Sequence, residues 1–244
     1  MGLFDGPLIE IQAFLDRMEQ RGLARRLCAV PVDGWRCPAP QVVLREESAL
    51  ELGSTSSASL NLVVWREEQP GDRDEIVLVG PDLPQLAARG IAQPLALVVQ
   101  AWVDLEPDRH YECHRQLREA TYRLGLRGMM LRCLPGRQSI WCRIHRRSLS
   151  DGLDAAVLGS AICAALHDLP FVTRARVALV TADREVMEQL RPAAALVLDI
   201  TEALVKMHES AMALDCDSCE YEAVCDAVDD LRRIHTRLVR GDEP

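Results

Sequence analysis

Lysine is nearly absent from this chain of 244 residues: Lys206 stands alone against 27 arginines. A guanidinium is a planar five-donor fork suited to carboxylates and phosphates, although so broad a skew also arises from genome composition. Basic charge is not in surplus. The formal charge is −9, which argues against a general binder of nucleic acid or of anionic membrane. Long apolar runs are missing too. The longest nearly uninterrupted one, Ala155 to Leu166, has 12 residues, short of the roughly 18–20 that a bilayer helix needs. The start, Met1-Gly2-Leu3-Phe4-Asp5-Gly6, lacks the positive charge of a secretion signal, and Gly6 stands where myristoylation wants Ser or Thr. The expected location is the cytoplasm, away from any membrane. Hydrolase and phosphate-loop signatures (Gly-x-Ser-x-Gly, Gly-x-x-x-x-Gly-Lys, His-Glu-x-x-His) do not occur.

What is present points to an α+β fold. Leu8, Ile11, Phe14, Leu15 and Met18 recur at helical spacing behind Asp5-Gly6-Pro7, and Gly22 with Arg25-Arg26 suits the end of that helix. Residues 29–40, rich in proline, form an irregular link. Four β-rich runs follow: Val42–Leu44, Leu60–Trp65, Ile76–Val79 and Leu95–Val99. Their short connections predict a mixed, mostly antiparallel sheet packed with helices. Tyr111–Leu124 reads as a helix, and Met129–Cys133 with Ser139–Ile144 as a hairpin. Ser148 and Asp151 predict a capping box for a helix running through Leu166. A strand at Arg174–Thr181, an N-cap at Asp183 and one or two helices over 184–213 complete the pattern, ahead of a helical segment that carries cysteines.

Nine cysteines are many for a cytoplasmic chain, and an odd count fits a disulfide framework poorly. Cys216-x-x-Cys219 and Cys225 are the sharpest local signal. A Cys-x-x-Cys turn sets two thiolates within reach of one metal, and a third from the next helix can join them. An iron–sulfur cluster or zinc would suit this trio, and free thiols or a redox pair are the alternatives. No fourth ligand is evident. Cys133, Cys142 and Cys163 sit in apolar runs and read as core packing, and His110 with His114 as a solvent-facing pair.

The second signal is electrostatic. Residues 106–150 hold ten arginines and four carboxylates inside an acidic protein. Arg132, Arg137 and Arg143 flank a hairpin bearing Trp141, and Trp141 and Arg143 share one face of a strand. A guanidinium and an indole there could clasp a nucleotide-like anion; the alternative is a solvated face paired with the protein's own acids.

Taken in order, Glu75-Ile-Val-Leu-Val-Gly-Pro-Asp-Leu83, Gln93-Pro-Leu-Ala-Leu-Val-Val99, Arg137-x-x-x-Trp141-x-Arg143, Arg174–Asp183 and Cys216-x-x-Cys219 resemble the middle region of CO-methylating acetyl-CoA synthase. That enzyme is the β subunit of the carbon monoxide dehydrogenase/acetyl-CoA synthase complex. The resemblance spans roughly residues 40–225. Ala96 replaces a family glycine, and the hairpin aromatic that the family associates with coenzyme A falls at Arg132. The Cys-Gly-Cys motif that holds nickel in the family is missing, as is any Cys-x-Cys. The family's large N-terminal region and its catalytic domain are also not expected here.

The resemblance therefore implies a stand-alone relative without complete CO-methylating activity. It divides into an N-terminal helix and link (1–39), a synthase-like α+β domain (40–183) and a helical segment with the cysteine motif (184–244). The expected function is an iron–sulfur accessory protein of one-carbon or CO metabolism. Cys216, Cys219 and Cys225 would be the metal ligands, and Arg132, Arg137, Trp141 and Arg143 the candidate contacts for coenzyme A or a corrinoid partner. Carbon monoxide dehydrogenase is another candidate partner. The competing expectation is an interaction module with zinc or no metal.

Overall fold

The structure, a computed structural model, describes residues 2–44, 49–54, 57–67, 73–89, 92–105, 109–134 and 138–211. It divides into two units, 1–204 and 205–244. The first contains α1 (Asp5–Gln20), β1 (Ala24–Leu27), β2 (Ala49–Leu52), β3 (Ser59–Arg66), β4 (Glu75–Val79), α2 (Leu83–Ala87) and β5 (Leu95–Val103). These lead to α3 (His110–Tyr122), β6 (Met129–Leu134), β7 (Ser139–His145), α4 (Arg146–Ser150), α5 (Ala155–His167), β8 (Val172–Val180), α6 (Arg184–Glu188) and the start of α7 (Arg191–Ala211).

Two sheets organise these elements. The larger has the order β1-β4-β8-β5-β3, and the smaller β2-β7-β6. Pairing is antiparallel in β1/β4, β5/β8, β2/β7 and β6/β7, and parallel in β3/β5 and β4/β8. The α+β class with a mixed, mostly antiparallel arrangement is thus as the sequence predicts. Successive strands β3, β4 and β5 do reverse direction, as short connections require. They are not all neighbours, because β8 inserts between β4 and β5 and creates a parallel pairing that no local turn announces.

Burial explains the apolar runs. Every residue of β5 is buried, so this strand is covered on both faces, unlike a half-solvated one. Helix α1 buries Leu8, Ile11, Phe14, Leu15 and Met18, the stripe seen in the sequence. Helix α5 lies close against β4. A Cβ on Gly159 would come within 2.4 Å of Ile76 Cγ2, so the approach depends on glycine.

Several local expectations change. Ser148 does not cap the long helix: it belongs to α4, and α5 is capped by Asp154, whose Oδ1 accepts from Val157 N at 2.9 Å. Gly152, at φ +104°, separates the two helices. Asp183 caps α6 as expected, accepting from Val186 N at 3.0 Å. Val42–Leu44 is not a strand, and β1, β2 and α2 are additional elements.

Candidate functional site

The small sheet has two unlike faces because strand side chains alternate. Inward, Leu50, Leu52, Ile140, Cys142, Ile144, Met129 and Leu131 join the core. Outward stand Glu51 on β2, Trp141 and Arg143 on β7, and Met130 and Arg132 on β6. Register sets Glu51 opposite Arg143, and Arg132 opposite Trp141. The end of β2 presses on β7 at Gly53, with φ +67°, where a Cβ would lie 2.2 Å from the Ile140 carbonyl oxygen.

Trp141 and Arg143 meet as their spacing predicts. The guanidinium carbon lies 4.5 Å from the indole centroid, within cation–π range. Arg143 Nε also donates to Glu51 Oε2 at 3.0 Å, and its side chain is only 12% exposed. Glu51 therefore neutralises much of the charge that an incoming anion would seek. The indole Nε1 is buried with no hydrogen-bond acceptor among the described residues. Arg132 is exposed, with Nη1 donating to the Leu131 carbonyl at 3.1 Å. Beside this face Val43, Ala49 and Met130 form a small apolar cluster with Trp141. Arg137, Cys216, Cys219 and Cys225 lie outside the described residues.

Other candidate groups are elsewhere. His110 and His114 do not form a solvent-facing pair. His110 stacks on Trp65 at 5.3 Å and reaches Glu67, whereas His114 is buried against Phe4. Cys113, Cys142 and Cys163 are buried as core groups and Cys133 is half-buried. Burial pushes the thiols of Cys113, Cys133 and Cys163 up to about 12, and that of Cys142 up as well, so all four stay protonated. Among the described residues, no group of three or more His, Cys, Asp or Glu is arranged to hold a metal ion.

Two features escape the sequence reading. On the large sheet, Arg174 and Arg176 grip Glu75 at 2.9 and 2.6 Å, and Arg174 lies 4.4 Å from the Trp102 ring centroid. Burial raises the Glu75 pKa, but Arg176 and Arg174 outweigh it and hold the carboxyl below its ordinary value. A cavity of about 350 Å³ is lined by Leu124, Ala165 and Leu169 together with the ion pairs Arg36–Asp168 and Arg123–Glu119. The alternation in Ala49-Leu50-Glu51-Leu52 is a strand signal that could have revealed Glu51.

Comparison with known proteins assigns the family. Residues 39–186 match the family model described as the CO dehydrogenase/acetyl-CoA synthase complex beta subunit. The chain belongs to this family. The match takes in the small sheet and its hairpin and ends before Cys216. Two relatives from Methanosarcina acetivorans are acetyl-CoA decarbonylase/synthase complex subunits. Subunit beta 2 is 25% identical over 183 residues, which cover 73% of this chain and 38% of the relative. Subunit beta 1 is 26% identical over 154 residues, covering 62% and 32%. The chain thus spans about a third of the length of these family members.

Proposed function

We propose that this chain is an accessory protein of one-carbon metabolism that reuses the synthase scaffold, binds a metal centre and receives coenzyme A or a corrinoid partner on the outer face of the small sheet. The observation that carries this reading is the family match over residues 39–186, which includes the hairpin where Arg143 stacks on Trp141. Arg132 and Arg137 would supply further cationic contacts, suited to the phosphates of coenzyme A. Cys216, Cys219 and Cys225 are the proposed ligands of an iron–sulfur cluster, with zinc as the alternative. The described residues contain no competing ligand cluster. The proposed setting is the cytoplasm, with carbon monoxide dehydrogenase or a corrinoid protein as partner. No described helix is long and apolar enough to cross a membrane. Complete acetyl-CoA synthesis is not part of the proposal, because the chain has no Cys-x-Cys.

A second reading has its own support. Val42, Leu44 and Leu134 are 59%, 80% and 60% exposed, which favours a protein-docking module. Anaerobic purification separates the two. Brown protein with several irons per chain, lost in Cys216→Ser or Cys219→Ser, supports the cluster. Colourless protein with one zinc, or metal content untouched by both substitutions, supports the docking module.

A further inference from the structure

A small cavity with several polar groups in its lining lies where β3, α3, α7 and the start of β7 approach one another, separate from the hairpin face. It is lined by Asn61, Val63, His114, Arg118, Gln138 and Thr201, among others. Its lining is unusual in being unsatisfied. Three buried polar atoms (Asn61 Oδ1, His114 Nδ1 and Gln138 Nε2) have no hydrogen-bond partner among the described residues. A buried polar group left unpaired loses its hydration without recompense, so three around one cavity call for a ligand.

The chemistry of each group is fixed by its neighbours. Thr201 Oγ1 donates to the Val197 carbonyl at 2.7 Å, so it can only accept from His114 Nε2 at 3.0 Å. The His114 proton is therefore on Nε2, and Nδ1 is a bare acceptor. The ring is 3% exposed, and burial, reinforced by the charge of Arg118, pushes its pKa down to about 3, so it stays neutral. Asn61 Nδ2 donates to Cys133 Sγ at 3.6 Å, which leaves Oδ1 as a second acceptor. Gln138 adopts φ +47°, a left-handed conformation rare outside glycine, with its carbonyl tied to Asn61 N at 2.7 Å. Its Nε2 is a donor. Arg118 has no ion pair or side-chain hydrogen bond among the described residues. The ionisable groups acting on it are Tyr122, Cys133 and Tyr111, with no carboxylate among them, and burial lowers its pKa.

We propose that this cavity binds a small oxyanion that still carries one proton, such as hydrogen phosphate or bicarbonate. Charged oxygens face the Arg118 guanidinium and Gln138 Nε2, while the remaining O–H donates to His114 Nδ1 or Asn61 Oδ1. The cavity offers about 20 Å³ to ligand atom centres, room for one compact ion and not for an extended metabolite. A water alone satisfies the neutral groups but leaves a desolvated guanidinium without a counter-charge.

Titration of the full ¹⁵N-labelled chain with inorganic phosphate, bicarbonate and sulfate, read at the His114 ring nitrogens, tests this. Phosphate or bicarbonate gives a saturable shift at Nδ1. Sulfate, which matches phosphate in shape but has no O–H at neutral pH, binds about tenfold more weakly, one hydrogen bond's worth. Arg118→Gln weakens binding at least about tenfold, as loss of a charge-assisted contact requires, and Arg118→Lys restores part of it. Gln138→Gly removes a donor while relieving the positive φ, so it weakens binding in a protein at least as stable as the original. The idea is overturned by the absence of a saturable shift with either ion, which leaves a structural water. It is equally overturned by sulfate binding as well as phosphate and ignoring Arg118→Gln, which marks an adventitious ion only.

Discussion

Glu51 Oε2 lies 3.0 Å from Arg143 Nε, across neighbouring strands that are far apart in sequence. The pair bears directly on the proposed anion site on the outer face of the small sheet. Arg143 would reach a ligand there only by sharing its guanidinium with a carboxylate already in place, while the indole of Trp141 lies 4.5 Å from its guanidinium carbon. Such partly buried pairs fix geometry more than they add stability.

Glu51→Gln removes the competing charge and keeps the shape of the side chain. Coenzyme A binding to this variant is expected to tighten several-fold, and Arg143→Ala to weaken it, when Trp141 fluorescence is followed against a Trp141→Phe blank. Unchanged affinity in both variants would remove Arg143 from the ligand site.

Asp82 ties two helix starts together. Its Oδ1 accepts from Leu83 N at 2.7 Å and from Ala155 N at 2.9 Å, and Oδ2 meets Arg25 at 3.1 Å. Asp82→Ala leaves both amides without that acceptor and is expected to cost about 1–3 kcal/mol in urea unfolding. Asp82→Asn, which keeps one acceptor oxygen, costs less. Equal stability of the alanine variant and the original would show that solvent replaces both bonds.

His114 gives the fold an acid-sensitive element. Its pKa falls from 6.5 to about 3 on folding, so below pH 6.5 the unfolded chain takes up a proton that the folded one refuses. Stability therefore drops as pH falls from about 6.5 toward 3, by up to about 1.4 kcal/mol per unit. Between pH 6.5 and 5, above the range where carboxylates titrate, His114→Gln is expected to flatten the decline measured by denaturant unfolding. An undiminished slope would assign it to other groups.

Much of this was legible in the chain, for reasons tied to local periodicity. The α1 stripe from Leu8 to Met18, the β6–β7 hairpin, and the shared face of Trp141 and Arg143 all follow from side-chain direction within one element. The Asp183 cap is equally local. Ser148 misled because a capping box is a short pattern that several Ser and Asp residues can satisfy, and Gly152 hands the role to Asp154. The solvent-facing pair expected of His110 and His114 failed for a different reason. Four residues apart on one helix, they meet different neighbours: Trp65 and Glu67 for one, Phe4 and Thr201 for the other.

By itself the amino-acid sequence determined the class of fold, the alternation of buried and exposed positions, and the order of motifs that marks the family. These depend on neighbours a few residues apart. Only the tertiary structure decided that β8 separates β4 from β5, that Glu51 engages Arg143, and that Asn61, His114, Arg118 and Gln138 surround one cavity. Each of those pairings closes a long loop of chain, and its energy comes from packing and hydrogen bonds that no local pattern encodes.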